Sequence, residues 1–450
     1  MQVKAYEQGP SLGLARNLHE KIESRTATVA VIGLGYVGLP LALAFAEAGF
    51  RTIGLDLDRR KIEQLQRSET YVQHLGPERV AHAIESGALL PTDEFRRLAD
   101  ADAILVAVPT PLTPQREPDM SHVRATTEAI ASELRPGQLV VLESTTYPGT
   151  SEELVKPILE ATGLTCGRHF FLAYSPERED PGNRRFDTRT IPKIVGGVDD
   201  VAGDLAVALY SKAVAEVVRV SSARVAEATK LTENVFRAVN IALVNELKVV
   251  YDRMGIDVWE VLDAAATKPF GFMRFEPGPG LGGHCIPLDP FYLAWKAREH
   301  KVTTRFIELA GEVNVAMPRW VVDKLQQALN DRGRALSGSQ VMVLGLAYKR
   351  DVDDPRESPA FELLELLTER GAEVSYHDPY VPRMPAMRSW PRLPTLDSTP
   401  LDEQTLLAQD AVLIATDHRT IDYARLARLA PLIIDTRGVY RESLPNVVKA

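Results

Sequence analysis

A run of strand-forming residues, Thr28–Ile32, opens directly into Gly33-Leu-Gly35-Tyr-Val-Gly38, and an Ala/Leu-rich helical stretch follows. This arrangement commits the region to a strand, a tight turn and a helix. The first glycine permits the turn, the second lets a pyrophosphate approach the backbone, and the third lets helix pack on strand. The uncharged stretch from Thr26 to Ala46 is long enough to cross a bilayer, but its glycines and Pro40 divide it into elements too short to do so. Asp56 closes the next apolar run, eighteen residues beyond Gly38, where a carboxylate accepts hydrogen bonds from a ribose diol. An acid there disfavours the extra phosphate of NADP, although Arg59 and Arg60 stand close by, so NAD is the expected cofactor. The plain alternative is a packing turn with no ligand.

The rest of the chain shows what this unit belongs to. Apolar runs alternate with helical stretches at Thr52–Leu55, Ala103–Val108, Leu139–Glu143, Phe170–Ala173, Ile194–Val195 and Val217–Val220. Continuous apolar strands separated by amphipathic helices imply a doubly wound parallel sheet covered on both faces. Ser222 to Met254 then runs 33 residues without Pro or Gly, with Val225, Leu231, Val235, Val239, Ala242 and Leu243 near helical period. A second α/β pattern begins at Gln340, with runs Val341–Leu344, Glu373–Tyr376, Ala411–Ala415 and Leu432–Ile434. There Ser358 and Pro359 start a helix and Gly371 follows its end. The fold class expected is therefore α/β, with an N-terminal Rossmann-like sheet, a long central helix in a helical middle domain, and a smaller C-terminal Rossmann-like domain. The expected bounds are 1–26 for an extension, 27–220 for NAD binding, 221–330 for the helical middle and 331–450 for the C-terminal domain. The 450-residue length suits two or three domains. In the extension, Leu14, Leu18 and Ile22 fall at helical spacing, and no continuous apolar segment resembles a secretory signal.

Composition narrows the class. With 45% hydrophobic and 25% charged residues the chain is globular, and a net charge of −9 argues against a nucleic-acid binder with a broad basic face. Neither a nucleic-acid nor a membrane partner is expected. Cys166 and Cys285 are too few for a disulfide framework and suit a reducing cytoplasm. Cys166 reads as structural. Cys285 sits in the densest Gly/Pro stretch, Pro277-Gly-Pro-Gly-Leu-Gly-Gly-His-Cys-Ile-Pro-Leu-Asp289. Such glycine density permits close backbone approach to a ligand, where a linker would carry fewer His, Cys and aromatic residues. His284 and Cys285 are adjacent and lack a second cluster at metal-ligand spacing, so no metal is expected. Lys230 and Asn234 stand one turn apart on one helix face; by themselves they read equally as a solvated pair. Glu177, in Ser175-Pro-Glu-Arg178, and Thr145 with Thr146 follow strand ends, where ligand contacts collect in open α/β sheets.

The ordered set GLGYVGLP, ESTTYPGT, SPERE, TKLTEN, PGPGLGGHCIPLDP, GLAYKRDVDDPRESP and IIDTRG resembles the nucleotide-sugar 6-dehydrogenases, the UDP-glucose/UDP-N-acetylhexosamine dehydrogenase family, from about Ala27 to Tyr440. The loop ending in His284-Cys285 and the Ala-Thr-Lys-Pro-Phe-Gly-Phe272 run look like its N-acetylglucosamine branch, since the glucose branch usually carries Ser before the cysteine.

The resemblance implies oxidation of a UDP-sugar's 6-alcohol to a carboxylate with two NAD, through a thiohemiacetal and a thioester on Cys285. Lys230 and Asn234 would hold the substrate oxygen, Asp289 would organise the Lys230/water network beside the nucleophile, and Glu177 would position or deprotonate the hydrolytic water. Thr145 would stand among the catalytic and cofactor contacts. Cofactor contacts would include Gly33, Gly35, Tyr36, Val37, Gly38, Asp56, Pro109, Thr110 and Arg356. The substrate would meet Glu177, Lys230, Asn234, Gly282, Lys349 and Arg437. An arginine from a neighbouring subunit completes the glucose-branch site at a spacing held here by Lys268-Pro269, which leaves Lys268, Arg274 or neither for that place. The family also implies a homodimer or higher homo-oligomer. A one-step alcohol dehydrogenase with an inert cysteine stays open, as do UDP-N-acetylmannosamine and UDP-glucose as substrates.

Overall fold

In the computed structural model, which describes residues 10–72, 75–113, 115–178, 188–283, 286–387 and 389–450, the first apolar run becomes β1 (Thr28–Ile32). It is followed by β2 (Arg51–Leu55), β3 (Leu89–Thr92), β4 (Ala103–Val106), β5 (Leu139–Leu142), β6 (Phe171–Tyr174), β7 (Lys193–Gly197) and β8 (Val217–Arg219). These eight make one sheet in the order β3-β2-β1-β4-β5-β6-β7-β8. Alternate side chains enter opposite cores. Val29, Val31, Leu105, Val141 and Phe171 join one cluster, while Ala30, Ile32, Ile104, Val140 and Leu172 join the other. Burial on both faces is why the strands read as continuous apolar runs. The helix Pro10–Glu23 adds Leu18 and Ile22 to the first cluster.

Two features depart from the expected sheet. The strand β3 carries Pro91 and occupies an edge, the position that tolerates proline. From β1 to β6 all neighbours are parallel, but β7 runs antiparallel to β6, with Ala173 opposite Gly197 and Tyr174 opposite Gly196. Strand β8 is parallel to β7.

The helix Ala223–Met254 has 32 residues, as its unbroken period requires. The described chain divides into two compact units, with the division in sequence falling within this helix: the first reaches Glu233 and includes Phe291–Val302, and the second comprises Asn234–Pro290 and Thr303–Ala450.

The second unit carries β9 (Gln340–Leu344), β10 (Glu373–His377), β11 (Ala411–Ile414), β12 (Ile433–Asp435) and β13 (Val447–Lys449). They form a parallel sheet in the order β10-β9-β11-β12-β13. Both faces are again buried, Val341, Val343 and Leu413 on one side and Met342, Leu344 and Val412 on the other. Ser358 caps the helix Pro359–Glu369 by accepting the Ala360 N–H, with Pro359 in the first turn. The helix Arg305–Asn330 supplies Val321, Val322, Leu325 and Leu329 to the first of these cores.

Candidate active site

In the first unit the glycine turn leaves β1 at its carboxyl end. A Cβ on Gly38 would collide with the Gly33 carbonyl oxygen, so that glycine answers to the chain's own packing. Gly35 differs, because no heavy atom lies within 4 Å of the Cβ it lacks. The protein leaves this space open, as a cradle for a pyrophosphate must be. Asp56, at the end of β2, is buried. Its Oδ2 accepts the Leu34 N–H and Lys61 Nζ, both at 2.9 Å, and its Oδ1 accepts the Asp58 N–H at 2.9 Å. A carboxylate offers about four acceptor directions, so it is fixed in place with capacity left for a ribose hydroxyl. Arg59 is bonded to Asp93 at 2.9 Å and Arg60 to Asp58 at 3.0 Å, so both nearby guanidiniums are engaged by carboxylates. Tyr36 and Val37 are half-buried beyond the turn. Pro109 and Thr110 follow β4, the Thr110 carbonyl accepting from Tyr292 Oη at 2.9 Å, and the half-buried Thr145 follows β5. These residues fit a dinucleotide at the carboxyl edge of the sheet.

Glu177 lies just beyond β6, at the same edge. Its Oε1 accepts the Arg178 N–H at 2.7 Å and its Oε2 lies 3.7 Å from Lys193 Nζ. Lys193 also reaches Glu143 Oε2 at 2.6 Å, and Tyr210 Oη donates to Glu143 Oε1. Burial pushes the Glu143 carboxyl above the usual carboxylate range, an effect the Lys193 ammonium opposes, and burial raises the Tyr210 phenol as well. Glu143, Lys193 and Tyr210 are absent from the residues singled out in the sequence. The signal available was a charge at each end of a buried run, Glu143 after Leu142 and Lys193 before Ile194.

The long helix carries Lys230 and, one turn later, Asn234, both buried. Asn234 Nδ2 donates to Asp289 Oδ2 at 2.5 Å, joining two of the singled-out residues that stand 55 positions apart. Asp289 is buried at the start of the helix Asp289–Glu299. Cys285 and His284 lie outside the described residues.

Within the second unit the glycine-rich loop packs against residues that follow strands. A Cβ on Gly282 would fall 2.9 Å from Tyr348 Cβ, next to the half-buried Lys349. Arg437, just past β12, donates from Nε to the Ala415 carbonyl at 2.7 Å. Arg356 is held by Asp354 through Nε at 2.7 Å and Nη2 at 2.6 Å. Arg274 is bonded to Asp263 at 2.7 Å and Glu276 at 2.6 Å, whereas Lys268 Nζ lies 5.0 Å from the Phe270 ring centre. Cys166, by contrast, has its thiol pushed up to about 12 by burial, as an unreactive structural cysteine would.

Three family models cover most of the chain. They describe the UDP-glucose/GDP-mannose dehydrogenase family: its NAD binding domain matches residues 27–214, its central domain 224–316 and its UDP binding domain 342–442. Among relatives, the UDP-N-acetyl-D-glucosamine 6-dehydrogenase of Pseudomonas aeruginosa is 35% identical, over 87% of this chain and 90% of its own. The UDP-N-acetyl-D-mannosamine dehydrogenase of Pyrococcus horikoshii is 34% identical, over 92% of this chain and 96% of its own. A solved UDP-D-ManNAc dehydrogenase structure from Pyrococcus horikoshii superposes with a TM-score of 0.85 at 33% identity, covering 94% of this chain and 98% of that one.

Proposed function

Because this chain belongs to the UDP-glucose/GDP-mannose dehydrogenase family and is an NAD-dependent oxidoreductase, we propose that it oxidises the 6-alcohol of a UDP-N-acetylhexosamine to the uronate, with UDP-N-acetyl-D-glucosamine the favoured sugar. The observation that carries this reading is the hydrogen bond from Asn234 to Asp289, which joins the helix motif to the segment following the nucleophile candidate. Nothing in a one-step alcohol dehydrogenase calls for that junction. The relatives named for the glucosamine and mannosamine sugars are almost equally similar, and the Phe270-Gly-Phe272 run favours the first.

NAD, when bound, accepts hydride, and two equivalents are consumed per sugar. Gly35 would leave room for its pyrophosphate and Asp56 would hold a ribose hydroxyl, while Arg356 is assigned to the cofactor by the family resemblance alone. Lys349 and Arg437 bind the anionic UDP portion, with Gly282 at the sugar. Lys230 and Asn234 hold the sugar oxygen and stabilise the charge that develops there. Asp289 fixes the Asn234 amide. Cys285 Sγ bonds the aldehyde carbon and makes it tetrahedral, the state from which a second hydride can depart, and the resulting thioester keeps the acyl group on the chain. Glu177 takes the proton of the water that releases the acid.

The chain is proposed to act as a homodimer, supported by the exposed apolar residues Phe236, Leu243, Val250 and Met254 along the second unit's part of the long helix. No helix among the described residues is long and apolar enough to cross a membrane, and a cytoplasmic location is proposed on the cysteine usage.

The test is a panel of UDP-N-acetyl-D-glucosamine, UDP-N-acetyl-D-mannosamine and UDP-glucose read by NADH absorbance against sugar consumed. Two NADH per sugar are expected, with the glucosamine sugar turned over fastest. One NADH per sugar would sink the two-step chemistry.

A further inference from the structure

The reversal of β7 has a chemical consequence. Its register with β6 sets Tyr174 opposite Gly196, and following it past the end of β6 brings Lys193 opposite Glu177. Ser175 Oγ donating to the Ile194 carbonyl at 2.8 Å continues that pairing. A parallel strand would have placed its first residue at the far edge of the sheet, remote from every ligand-facing loop. Instead an ammonium group with almost no solvent exposure enters the carboxyl edge between two carboxylates, 2.6 Å from Glu143 and 3.7 Å from Glu177.

From this geometry we infer that Lys193 is a positioning residue for Glu177, its charge fixed on one side by Glu143 and presented on the other to the carboxylate that serves thioester hydrolysis. The inference rests on the role proposed above for Glu177. In that step the oxygen of water bonds to the acyl carbon, the carbon–sulfur bond breaks, Cys285 departs as thiolate, and the water's proton passes to Glu177. An opposite charge beside a carboxylate favours the ionised form, the one that accepts a proton, and Lys193 Nζ stands 3.7 Å from Glu177 Oε2. Glu143 holds the cation in place at 2.6 Å and, when ionised, offsets part of its charge. Among the described residues, the groups facing Glu177 and Lys193 include Glu143 after β5, Tyr210 at the end of the helix Asp200–Tyr210, Ser175 beside Tyr210, and Arg178. The Arg178 guanidinium is bonded to Glu233 at 2.7 Å and to the Pro192 carbonyl at 2.6 Å. The Tyr210 ring centre lies 5.5 Å from Lys193 Nζ.

The experiment measures the pH dependence of kcat, with NADH yield, for wild type and three variants of the full chain supplied with NAD and the best sugar of the panel. Removing the buried pair together, Lys193→Met with Glu143→Gln, is expected to move the acid limb up by about one pH unit. It should also slow acid release about tenfold on that limb while sparing the first NADH formed. Glu143→Gln alone, which leaves Lys193 to Glu177, should move the limb down. Lys193→Arg should restore the wild-type limb. Purely structural roles would leave the limb in place, and an unmoved limb, or the same direction of movement in both neutralised variants, overturns the inference. Should the double variant fail to fold, a limb moved down in Glu143→Gln beside an unmoved limb in Lys193→Arg still supports the inference, and an unmoved limb in Glu143→Gln overturns it. A wild-type yield of one NADH per sugar overturns the thioester reading itself, whereas two NADH with an unmoved limb overturns only the role of Lys193.

Discussion

Asn245 accepts the backbone N–H of Gly278 on its Oδ1 at 2.9 Å, and Lys248, one turn further along the same helix, donates its ammonium to the Gly278 carbonyl at 3.0 Å. Both backbone polar groups of one residue in the glycine-rich loop are thus held by side chains of the long helix. Asn245 is itself oriented by donating to Asn314 at 2.9 Å. A Cβ on Gly278 would lie 2.6 Å from Arg437 Nη1, so a side chain there would have to displace that guanidinium. Burial, with the Arg437 charge close by, brings Lys248 down to about 7. Asn245→Ala would strand a buried N–H and is expected to cost about 2 kcal/mol. Equilibrium urea unfolding measures it, and an unchanged midpoint would mean the loop is anchored elsewhere.

Gly35→Ala separates cofactor affinity from folding. With open space around the missing Cβ, the variant should unfold at the wild-type temperature while its NAD affinity drops about tenfold or more, roughly 1.4 kcal/mol. Calorimetric titration reads the affinity. Retained NAD binding would show that the pyrophosphate does not approach this turn.

Cys285→Ser should abolish uronate formation and leave NAD binding intact, because a hydroxyl is a poor nucleophile at neutral pH and an ester would release the acyl group slowly. Product analysis by mass spectrometry decides, and normal acid production would remove the thioester from the mechanism.

Glu227 makes stability depend on pH in a defined window. Its buried carboxyl accepts from the Gly149 N–H at 2.6 Å, the Ser151 N–H at 2.9 Å and Ser151 Oγ at 2.8 Å, yet burial still raises it from 4.5 to about 7. A folded value above the unfolded one means the folded state binds the proton more tightly. The contribution is therefore full below pH 4.5 and is lost as pH rises through about 7, by about 3 kcal/mol. Glu227→Gln should remove this slope, so the stability difference between wild type and variant falls across that window. A difference independent of pH would show that Glu227 does not titrate there.

Phe236, Leu243 and Val250 recur every seven residues and are all exposed, which sets them along one stripe of the helix. Leu243→Glu is expected to convert a wild-type dimer into a monomer, seen by light scattering after size exclusion. A monomeric wild type would contradict the proposed dimer.

The signals that led to NAD as the expected cofactor are local ones. Three glycines at fixed spacing and an acid at the next strand end each act through a few neighbouring residues, and the structure finds Gly35 open and Asp56 anchored where that spacing implies. The long helix was equally legible, its period being unbroken from Ala223 to Met254. The strand β3 was hidden because four residues including Pro91 carry too little pattern, and Asn245 was hidden because asparagine on a helix reads as polar surface until a buried peptide is found against it.

The sequence by itself determined the two α/β units, the glycine turn, the acid that follows it and the order of the family motifs, since these depend on short-range sterics and on which residues leave water. Only the tertiary structure decided the direction of β7, and with it the meeting of Lys193 and Glu143 across 50 positions of chain. Strand direction is chosen by long-range pairing and by the need of a buried charge for an opposite one, and an apolar run reads the same whichever way it is laid into the sheet.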